Sequence, residues 1–267
     1  MYSFQYNRAK SVADAAATLS KEADAKVLAG GQSLVAAMKL RLSKPSELID
    51  LGTIADLKGI KVDGSNVTIG AMTRHAEVAA SKDVLQAIPA LASLAASIGD
   101  RMVRNMGTIG GSIANNDPAA DYPAGVVGLG ATVNTNKRKI AGDSFFTGMY
   151  ETALEPGELI TSVVFPVPKR AAYAKFKNPA SRYAMVGVFV SEGAGGVRVA
   201  VTGAAPSVFR VPAMEKALAA KFSPDAIAGI TVPADGLNSD LHASNEYRAH
   251  LVTVMAKRAV EAVLGSK

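Results

Sequence analysis

The stretch Arg104-Asn-Met-Gly-Thr-Ile-Gly-Gly-Ser-Ile-Ala-Asn-Asn-Asp-Pro118 is the part of this sequence that points most directly to a fold. Its many Gly and Asn residues make it too polar for a core helix, and it is too orderly for a linker. Within it, Thr108–Ser112 places two glycines between two hydroxyl side chains. Glycines let backbone N–H groups approach an anion closely. The stretch therefore predicts a loop that binds phosphate.

An earlier segment, Ala29-Gly-Gly-Gln-Ser33, has the same chemistry. It follows a short apolar run that predicts a buried strand, Lys26–Ala29, and precedes a helical pattern over residues 34–42. The start of that helix adds the positive end of its dipole. Two such loops, brought together, would hold both phosphates of a pyrophosphate, and Asp121 is a candidate acceptor for sugar hydroxyls. Taken singly, each Gly-Gly pair is equally consistent with a simple turn, and Asp121 with a helix cap.

Composition excludes several classes of protein. With 267 residues, 49% of them hydrophobic and 19% charged, the chain can enclose a core and is not of the disordered type. Without Cys it cannot hold an iron–sulfur cluster, a thiolate zinc site or a disulfide, and its three His are too scattered to predict a metal site. The net charge of +6 is dispersed, which argues against a nucleic-acid partner.

Neither a signal peptide nor a membrane span is predicted. The N-terminus has no apolar core, and the longest apolar stretch, residues 84–98, contains Pro89 and is too short for a bilayer. We therefore expect a cytoplasmic protein. The usual dinucleotide fingerprint, the P-loop, the nucleophile elbow and the zinc-protease motif are all absent from the sequence. The residues alone predict an α/β protein that binds a diphosphate, with no catalytic residue and no metal ligand.

The order of predicted elements divides the chain into three parts. Residues 1–57 predict a βαβ-like lobe, with a capping box at Ser11. Residues 58–170 begin with a hairpin around an Asp63-Gly64 turn, continue through two helical stretches that end at Gly99, and end in further strands. Residues 171–267 predict a separate small α+β unit that closes with a long helix.

Together and in this order, the two loops resemble a known family, the FAD-binding medium subunits of molybdenum hydroxylases, the xanthine dehydrogenase and carbon monoxide dehydrogenase group. The family signatures are A-G-G-x-S after a strand, and R-N-x-G-T-I-G-G-[NS] followed by D-x-x-x-D. This chain matches the first within Val27–Leu34 and the second at residues 104–112 with Asp117 and Asp121. Three further segments match: Gly157–Pro166 (G-E-L-I and a strand), Lys175–Lys177 (K-F-K) and Tyr247–Leu251 (Y-R-x-H-L).

The resemblance implies an α+β chain with a PCMH-type FAD-binding fold. Two α/β lobes, FAD-binding lobe 1 (1–57) and lobe 2 (58–170), are followed by a small C-terminal α+β domain (171–267). It places one pyrophosphate loop at Val27, Leu28, Ala29, Gly30, Gly31, Gln32, Ser33 and Leu34, and the other at Thr108, Ile109, Gly110, Gly111 and Ser112. It also implies that Asp121 contacts FAD, that Ile98 and Ile160 pack around adenine, and that Lys177 and Tyr183 lie near the isoalloxazine ring. Gln32 and Ser112 replace the family's frequent His and Asn.

The function that the resemblance implies is electron transfer within an oxidoreductase. Electrons would pass from the [2Fe-2S] clusters of a small partner subunit through FAD to an external acceptor, with the molybdenum cofactor in a large subunit and the whole assembled as a dimer of heterotrimers. One alternative is a free-standing flavoenzyme of this fold that oxidises its own small-molecule substrate, which would need an acid–base residue beside the flavin. Another is an assembly module that no longer binds FAD.

Overall fold

Three β-sheets of different construction follow one another along the chain. In the computed structural model, which describes residues 1–265, the first sheet has three strands, the second five and the third four, with a short two-stranded ribbon beside the second. The sheets lie within residues 5–50, 60–166 and 170–210. These ranges follow the predicted three parts, although the division into domains stays a prediction.

The first sheet is parallel, in the order β1-β3-β2, and carries two helices. Helix α1 begins at the predicted cap, since the Ser11 hydroxyl accepts the Asp14 N–H at 3.1 Å. The predicted capping box is only half formed, because the Asp14 carboxylate accepts the N–H of Lys10 at 2.9 Å and not that of Ser11. Ile49 and Leu57 lie in the core of this part. The elements are β1 (Gln5–Arg8), α1 (Val12–Lys21), β2 (Lys26–Leu28), α2 (Leu34–Lys39), β3 (Glu47–Asp50) and a one-turn 3-10 helix (Ala55–Leu57).

The second sheet is antiparallel, in the order β4-β5-β10-β6-β7. Its first hairpin turns at Gly64, whose φ of +55° is the left-handed conformation that the predicted Asp-Gly turn requires. The strands are β4 (Ile60–Asp63), β5 (Asn66–Gly70), β6 (Thr132–Thr135), β7 (Lys139–Ala141) and β10 (Ile160–Pro166); the ribbon is β8 (Phe146–Gly148) with β9 (Glu151–Thr152), preceded by a 3-10 turn (Gly142–Ser144).

Helices fill the connection between β5 and β6, and here the structure corrects two expectations. Three helices, where two were predicted, precede Gly99. The Gly- and Asn-rich stretch is helical and partly in the core, because Ile109 and Ile113 lie one turn apart on a buried face while the polar residues occupy the other side. The helices are α3 (His75–Ala80), α4 (Lys82–Ala87), α5 (Pro89–Ser97), α6 (Arg101–Met106), α7 (Ile109–Asn115) and α8 (Tyr122–Gly128).

The third sheet is antiparallel and is covered on both faces. Helices α9 and α11 pack against it from one side, and α5 and α8 of the preceding part pack against it from the other. Phe189, on its central strand, belongs to the core of the second part. The last third therefore shares part of its packing with the second part. Its elements are β11 (Arg170–Lys177), β12 (Ala184–Gly193), β13 (Gly196–Thr202), β14 (Phe209–Arg210), α9 (Pro212–Ala220), α10 (Pro224–Ile227) and α11 (Asn245–Gly265).

A buried arginine fixes the last helix to the third sheet. The Arg248 guanidinium donates to the backbone oxygens of Met185 at 2.7 Å and Gly203 at 3.0 Å, and to the Asp240 carboxylate at 2.8 Å. Charge-assisted hydrogen bonds of this kind compensate a buried cation for the hydration that it loses on burial. The Y-R-x-H-L segment thus has a structural reason for its arginine.

Candidate cofactor site

The two glycine loops meet in space. A Cβ placed on Gly30 would lie 2.1 Å from the carbonyl oxygen of Met106 and 2.7 Å from the Cα of Gly107, so the first loop rests directly on the backbone that enters the second. A Cβ on Gly111 would lie 3.6 Å from the Cβ of Ala29. Loops that are distant in sequence therefore form one continuous surface, as a single ligand spanning both of them requires.

The first loop offers free hydrogen-bond donors. The N–H groups of Gly30, Gly31, Gln32 and Ser33 have no acceptor within residues 1–265. Gly31 adopts a φ of +71°, which turns the chain from β2 into α2. Ser33 stands at the start of α2 but its hydroxyl does not cap the helix. Four consecutive unpaired amides and a free hydroxyl suit an anion such as a pyrophosphate.

The second loop has the same residue types, but four of its five amides, all except that of Thr108, are already bonded. The N–H of Ile109 donates to Thr73 O at 3.1 Å, that of Gly110 to Ala71 O at 2.8 Å, and that of Gly111 to the Thr108 hydroxyl at 3.1 Å. This differs from the expectation that these amides face a phosphate. What remains available is the Thr108 N–H and the Ser112 hydroxyl, neither of which has a partner within residues 1–265, and the side of Gly111 that faces Ala29.

The glycines of the second loop serve packing instead. A Cβ on Gly110 would lie 2.6 Å from the Cβ of Ala71, and one on Gly107 would lie 2.6 Å from Nε2 of His75. By contrast, a Cβ on Gly111 would have two neighbours, the Thr108 hydroxyl at 3.0 Å and Ala29 at 3.6 Å. Gly111 is thus the position at which a side chain would project into the shared surface rather than into the protein.

A histidine that sequence reasoning dismissed lies behind the second loop. His75 is 4% exposed, and its ring centroid is 5.3 Å from that of Tyr122. Burial and, as a smaller contribution, the nearby Arg104 guanidinium together lower the pKa of His75 to about 4. Its Nδ1 and the Tyr122 hydroxyl are both buried without a partner in the described residues. The neutral ring supports the loop from below.

The predicted FAD contact Asp121 is buried and fully engaged. One carboxylate oxygen accepts the Tyr173 hydroxyl, and the other pairs with the Lys175 ammonium at 3.0 Å. Lys175 also donates to the carbonyl oxygen of Ser97 at 3.1 Å. Burial raises the pKa of Asp121, while Lys175 and Tyr173 oppose that rise. Any contact of Asp121 with a cofactor stays a prediction, since the carboxylate is only 4% exposed.

Lys175 and Tyr173 were missed because the sequence drew attention to Lys177. In a regular strand Lys175 and Lys177 would share a face, but β11 has a register shift between Phe176 and Lys177. As a result Lys175 is buried in an ion pair while Lys177 is exposed at the strand end. The K-F-K segment contains both lysines and could have pointed to Lys175, although the bulge that separates them could not be predicted from it.

The two isoleucines predicted around adenine differ in exposure. Ile98, at the end of α5, is partly buried, and its carbonyl oxygen accepts a hydrogen bond from Arg104 at 2.9 Å. Ile160, on β10, is 6% exposed and belongs to the core of the second part. Both side chains pack on the same core, but Ile98 is the one with a surface left for a ligand.

Tyr183 borders a cavity of about 470 Å³ between the α7–α8 connection and the third sheet. Asp117 and Tyr150 line the same cavity and are joined by a hydrogen bond of 3.3 Å. Three non-glycine residues with positive φ flank or line it: Asn116 (42°), Tyr150 (57°) and Arg182 (62°). Such strained backbone is common at ligand sites. Lys177 lies close in sequence but is not among the lining residues.

Comparison with known proteins decides the family. The family described as "FAD binding domain in molybdopterin dehydrogenase" matches residues 2–168. The carbon monoxide dehydrogenase medium chain of Afipia carboxidovorans is 39% identical over 97% of this chain and 96% of its own length. The chain belongs to the FAD-binding medium subunits of the molybdenum hydroxylases. The predicted family, the oxidoreductase class and FAD as the cofactor are thereby confirmed.

Other medium subunits and solved structures agree. The nicotine 6-hydroxylase medium subunit of Paenarthrobacter nicotinovorans is 35% identical over 96% of this chain and 95% of its own. A chain of the carbon monoxide dehydrogenase from Hydrogenophaga pseudoflava superposes with a TM-score of 0.90 at 37% identity, covering 98% of both chains. The α+β, FAD-binding fold expected of a medium subunit is therefore confirmed across its length.

The residues present fit FAD. The unpaired amides of the first loop are donors of the kind that a pyrophosphate accepts, and Gly111 places no side chain on the adjoining surface. No group of three or more His, Asp or Glu side chains within residues 1–265 is arranged to hold a metal ion. None of the helices in that range combines the length and apolar character needed to cross a bilayer.

Proposed function

We propose that this medium subunit conducts electrons from [2Fe-2S] clusters in a small partner subunit, through FAD, to an external acceptor. In this proposal a large subunit carries the molybdenum cofactor and oxidises the substrate, and the cytoplasmic complex is a dimer of heterotrimers. The observation that carries the proposal is the joined pair of loops, with four free amides on one side and Gly111 facing Ala29 on the other.

The residues of the chain bind and orient the cofactor. Gly30, Gly31, Gln32 and Ser33 donate to the pyrophosphate, and Ser112 adds a hydroxyl from the second loop. Ile98 offers an apolar surface to the adenine end, while Lys177 and Tyr183 stand at the ring end, where a cation favours an anionic reduced flavin. When bound, FAD supplies exchange between one-electron and two-electron carriers.

The free-standing flavoenzyme is less well supported. It would need an acid–base group with a free lone pair at the cavity beside Tyr183. The two carboxylates there are engaged: Asp117 bonds Tyr150 and the Ala119 N–H, and Asp240 pairs with Arg248. His242 also lines the cavity and its ring has no partner within residues 1–265, so it is the group that this alternative would have to use. Although burial alone would raise it, the pKa of Asp240 is lowered overall by the backbone N–H groups of His242 and Ala243 together with Arg248. A low pKa makes a weak general base.

One experiment tests the electron path. Gly111→Val directs a branched side chain into the shared surface, and we expect the complex containing it to lose its FAD while keeping its fold. Substrate should still bleach the iron–sulfur absorbance in anaerobic stopped-flow, whereas turnover with the external acceptor should stop. The matched control is Gly229→Val, because a Cβ at Gly229 has no neighbour within 4 Å.

Two outcomes would overturn the proposal. If the Gly111→Val complex keeps stoichiometric FAD, the shared surface is not the cofactor site. If it lacks FAD and substrate no longer reduces the clusters, the flavin lies upstream of them and the direction of electron flow is reversed.

A further inference from the structure

Two cations from different parts of the fold bind the turn that joins α5 to α6, which we call the Ser97–Gly99 turn. The Lys175 ammonium, on β11, donates to the carbonyl oxygen of Ser97 at 3.1 Å. The Arg104 guanidinium, on α6, donates to the carbonyl oxygens of Ile98 at 2.9 Å and Gly99 at 3.3 Å. Cations are favoured at the C-terminal end of a helix such as α5. Three successive carbonyl oxygens are thereby tied to the third sheet and to α6.

The lysine is itself held in place by buried partners. Its side chain is buried, and its ammonium pairs with the Asp121 carboxylate at 3.0 Å. The same carboxylate accepts the hydroxyl of Tyr173, which is also on β11. A buried ion pair adds little net stability, because the cost of removing both charges from water offsets their attraction. We therefore look for its effect in geometry, since the pair fixes the Lys175 ammonium beside the Ser97 carbonyl.

The arginine connects the turn to the glycine loops. Arg104 stands two residues before Met106 and three before Gly107, the backbone on which the first loop rests at Gly30. Gly99 has a φ of +43°, a left-handed conformation that lets the chain pass from α5 into α6 within a few residues. The Ser97–Gly99 turn and the support of the first loop therefore belong to one short segment of chain.

We propose that Lys175 and Arg104 are positioning residues for the adenine end of the cofactor and that they act through Ile98. This inference rests on the function proposed above, in which Ile98 offers an apolar surface to adenine. Ile98 is half-buried: it packs against the core of the second part and keeps a surface for a ligand. A surface that is fixed before the ligand arrives binds more tightly, because less conformational freedom is lost on binding. The two cations supply that order from the backbone side of the turn.

A double-mutant cycle between Arg104 and Ile98 tests the proposal. FAD affinity is measured by flavin fluorescence titration of the full chain freed of cofactor. We expect Arg104→Met and Ile98→Ala each to weaken FAD roughly tenfold. If Arg104 acts through Ile98, the double variant should be no more than about threefold weaker than either single variant. Independent effects would multiply to roughly a hundredfold and would overturn the proposal. The matched control is Arg101→Met on the same helix, because the Arg101 side chain is exposed and has no polar partner within residues 1–265.

Lys175→Met tests the second cation in the same way, with the same expected loss of affinity and the same lack of additivity with Ile98→Ala. The absorption spectrum of FAD bound to each variant should match that of wild type, since the flavin ring lies at the other end of the cofactor. A changed spectrum, or an unchanged affinity in a folded variant, would overturn the proposal.

Two features of the design keep the result interpretable. Lys175→Met leaves the buried Asp121 carboxylate without its counter-charge, so circular dichroism checks its fold, and the Arg104 cycle decides alone if that variant does not fold. Unchanged affinity in Ile98→Ala refutes the positioning role only. The electron path is tested separately by the Gly111→Val complex, which leaves the Ser97–Gly99 turn intact.

Discussion

The two glycine loops are similar in composition, but the backbone N–H groups of the first are free and most of those of the second are bonded to protein acceptors. In the first, four successive amides have no acceptor within residues 1–265, and the helix that follows lacks a side-chain cap. In the second, three successive amides are bonded to protein acceptors, and its glycines permit contact with Ala71 and His75. A Gly-Gly pair between hydroxyl residues therefore does not by itself mean an anion site. The second loop is the support on which the first, ligand-facing loop rests.

If His75 supports the second loop as a neutral ring, lowering the pH should lower the free energy of unfolding of the native chain. Between pH 6.5 and about 4 the unfolded chain binds a proton at this ring and the native chain does not, so stability falls as the pH falls through that window. The full loss is about 3 kcal/mol, from 1.36 kcal/mol per pKa unit. Urea unfolding of wild type and His75→Gln at several pH values measures it, and the variant should lose that part of the slope. Equal slopes would show that the ring titrates freely in the native chain.

Contact between the loops can be tested at Gly30. Gly30→Ala places a methyl group against the backbone at Met106 and Gly107, which cannot move without shifting α6. We expect a loss of about 2 kcal/mol in the unfolding free energy of the FAD-free chain. Gly229→Ala, in open space, should change it by less than about 0.5 kcal/mol. An unchanged unfolding free energy in Gly30→Ala would mean that the loops are not pressed together.

The smallest expected effects distinguish the hydroxyl group of Thr108 from that of Ser33. Thr108 caps α7, so Thr108→Ala should lower the unfolding free energy by about 1 kcal/mol. Ser33 makes no cap bond, so Ser33→Ala should leave the unfolding free energy unchanged and weaken FAD roughly tenfold, the value of one hydrogen bond to a charged group. Equilibrium unfolding and flavin fluorescence titration provide the two readouts. The reverse pattern would exchange the roles of the loops.

Features set by neighbouring residues were predictable from the sequence. The Ser11 cap, the Asp-Gly hairpin and the strand that leads into the first loop all depend on residues a few positions apart. The position of both glycine loops was also recognisable, because each motif is continuous in sequence.

Features set by distant contacts were not predictable. The amides of the second loop are bonded to Ala71 and Thr73, which follow β5, and nothing local marks those acceptors. The helix α7 was hidden by its polar residues, since its buried face is defined only by what packs on Ile109 and Ile113. The bulge that separates Lys175 from Lys177 depends on pairing with β12. Whether the predicted residues contact FAD stays a prediction that the variants above address.

The buried Lys175–Asp121 pair has a consequence for the order in which parts of the chain fold during synthesis. The pair and the bond from Lys175 to Ser97 join segments far apart in the chain, so they cannot form during synthesis until β11 has left the ribosome. Before that moment the Ser97–Gly99 turn lacks this tertiary anchor and the Asp121 carboxylate is in water. The Ser97–Gly99 turn, which contains Ile98, therefore reaches its final structure late, after all residues of the first loop have been synthesised. A nascent chain cut before residue 175 should hold FAD loosely or not at all, and full retention begins only when the third sheet packs against α5 and α8.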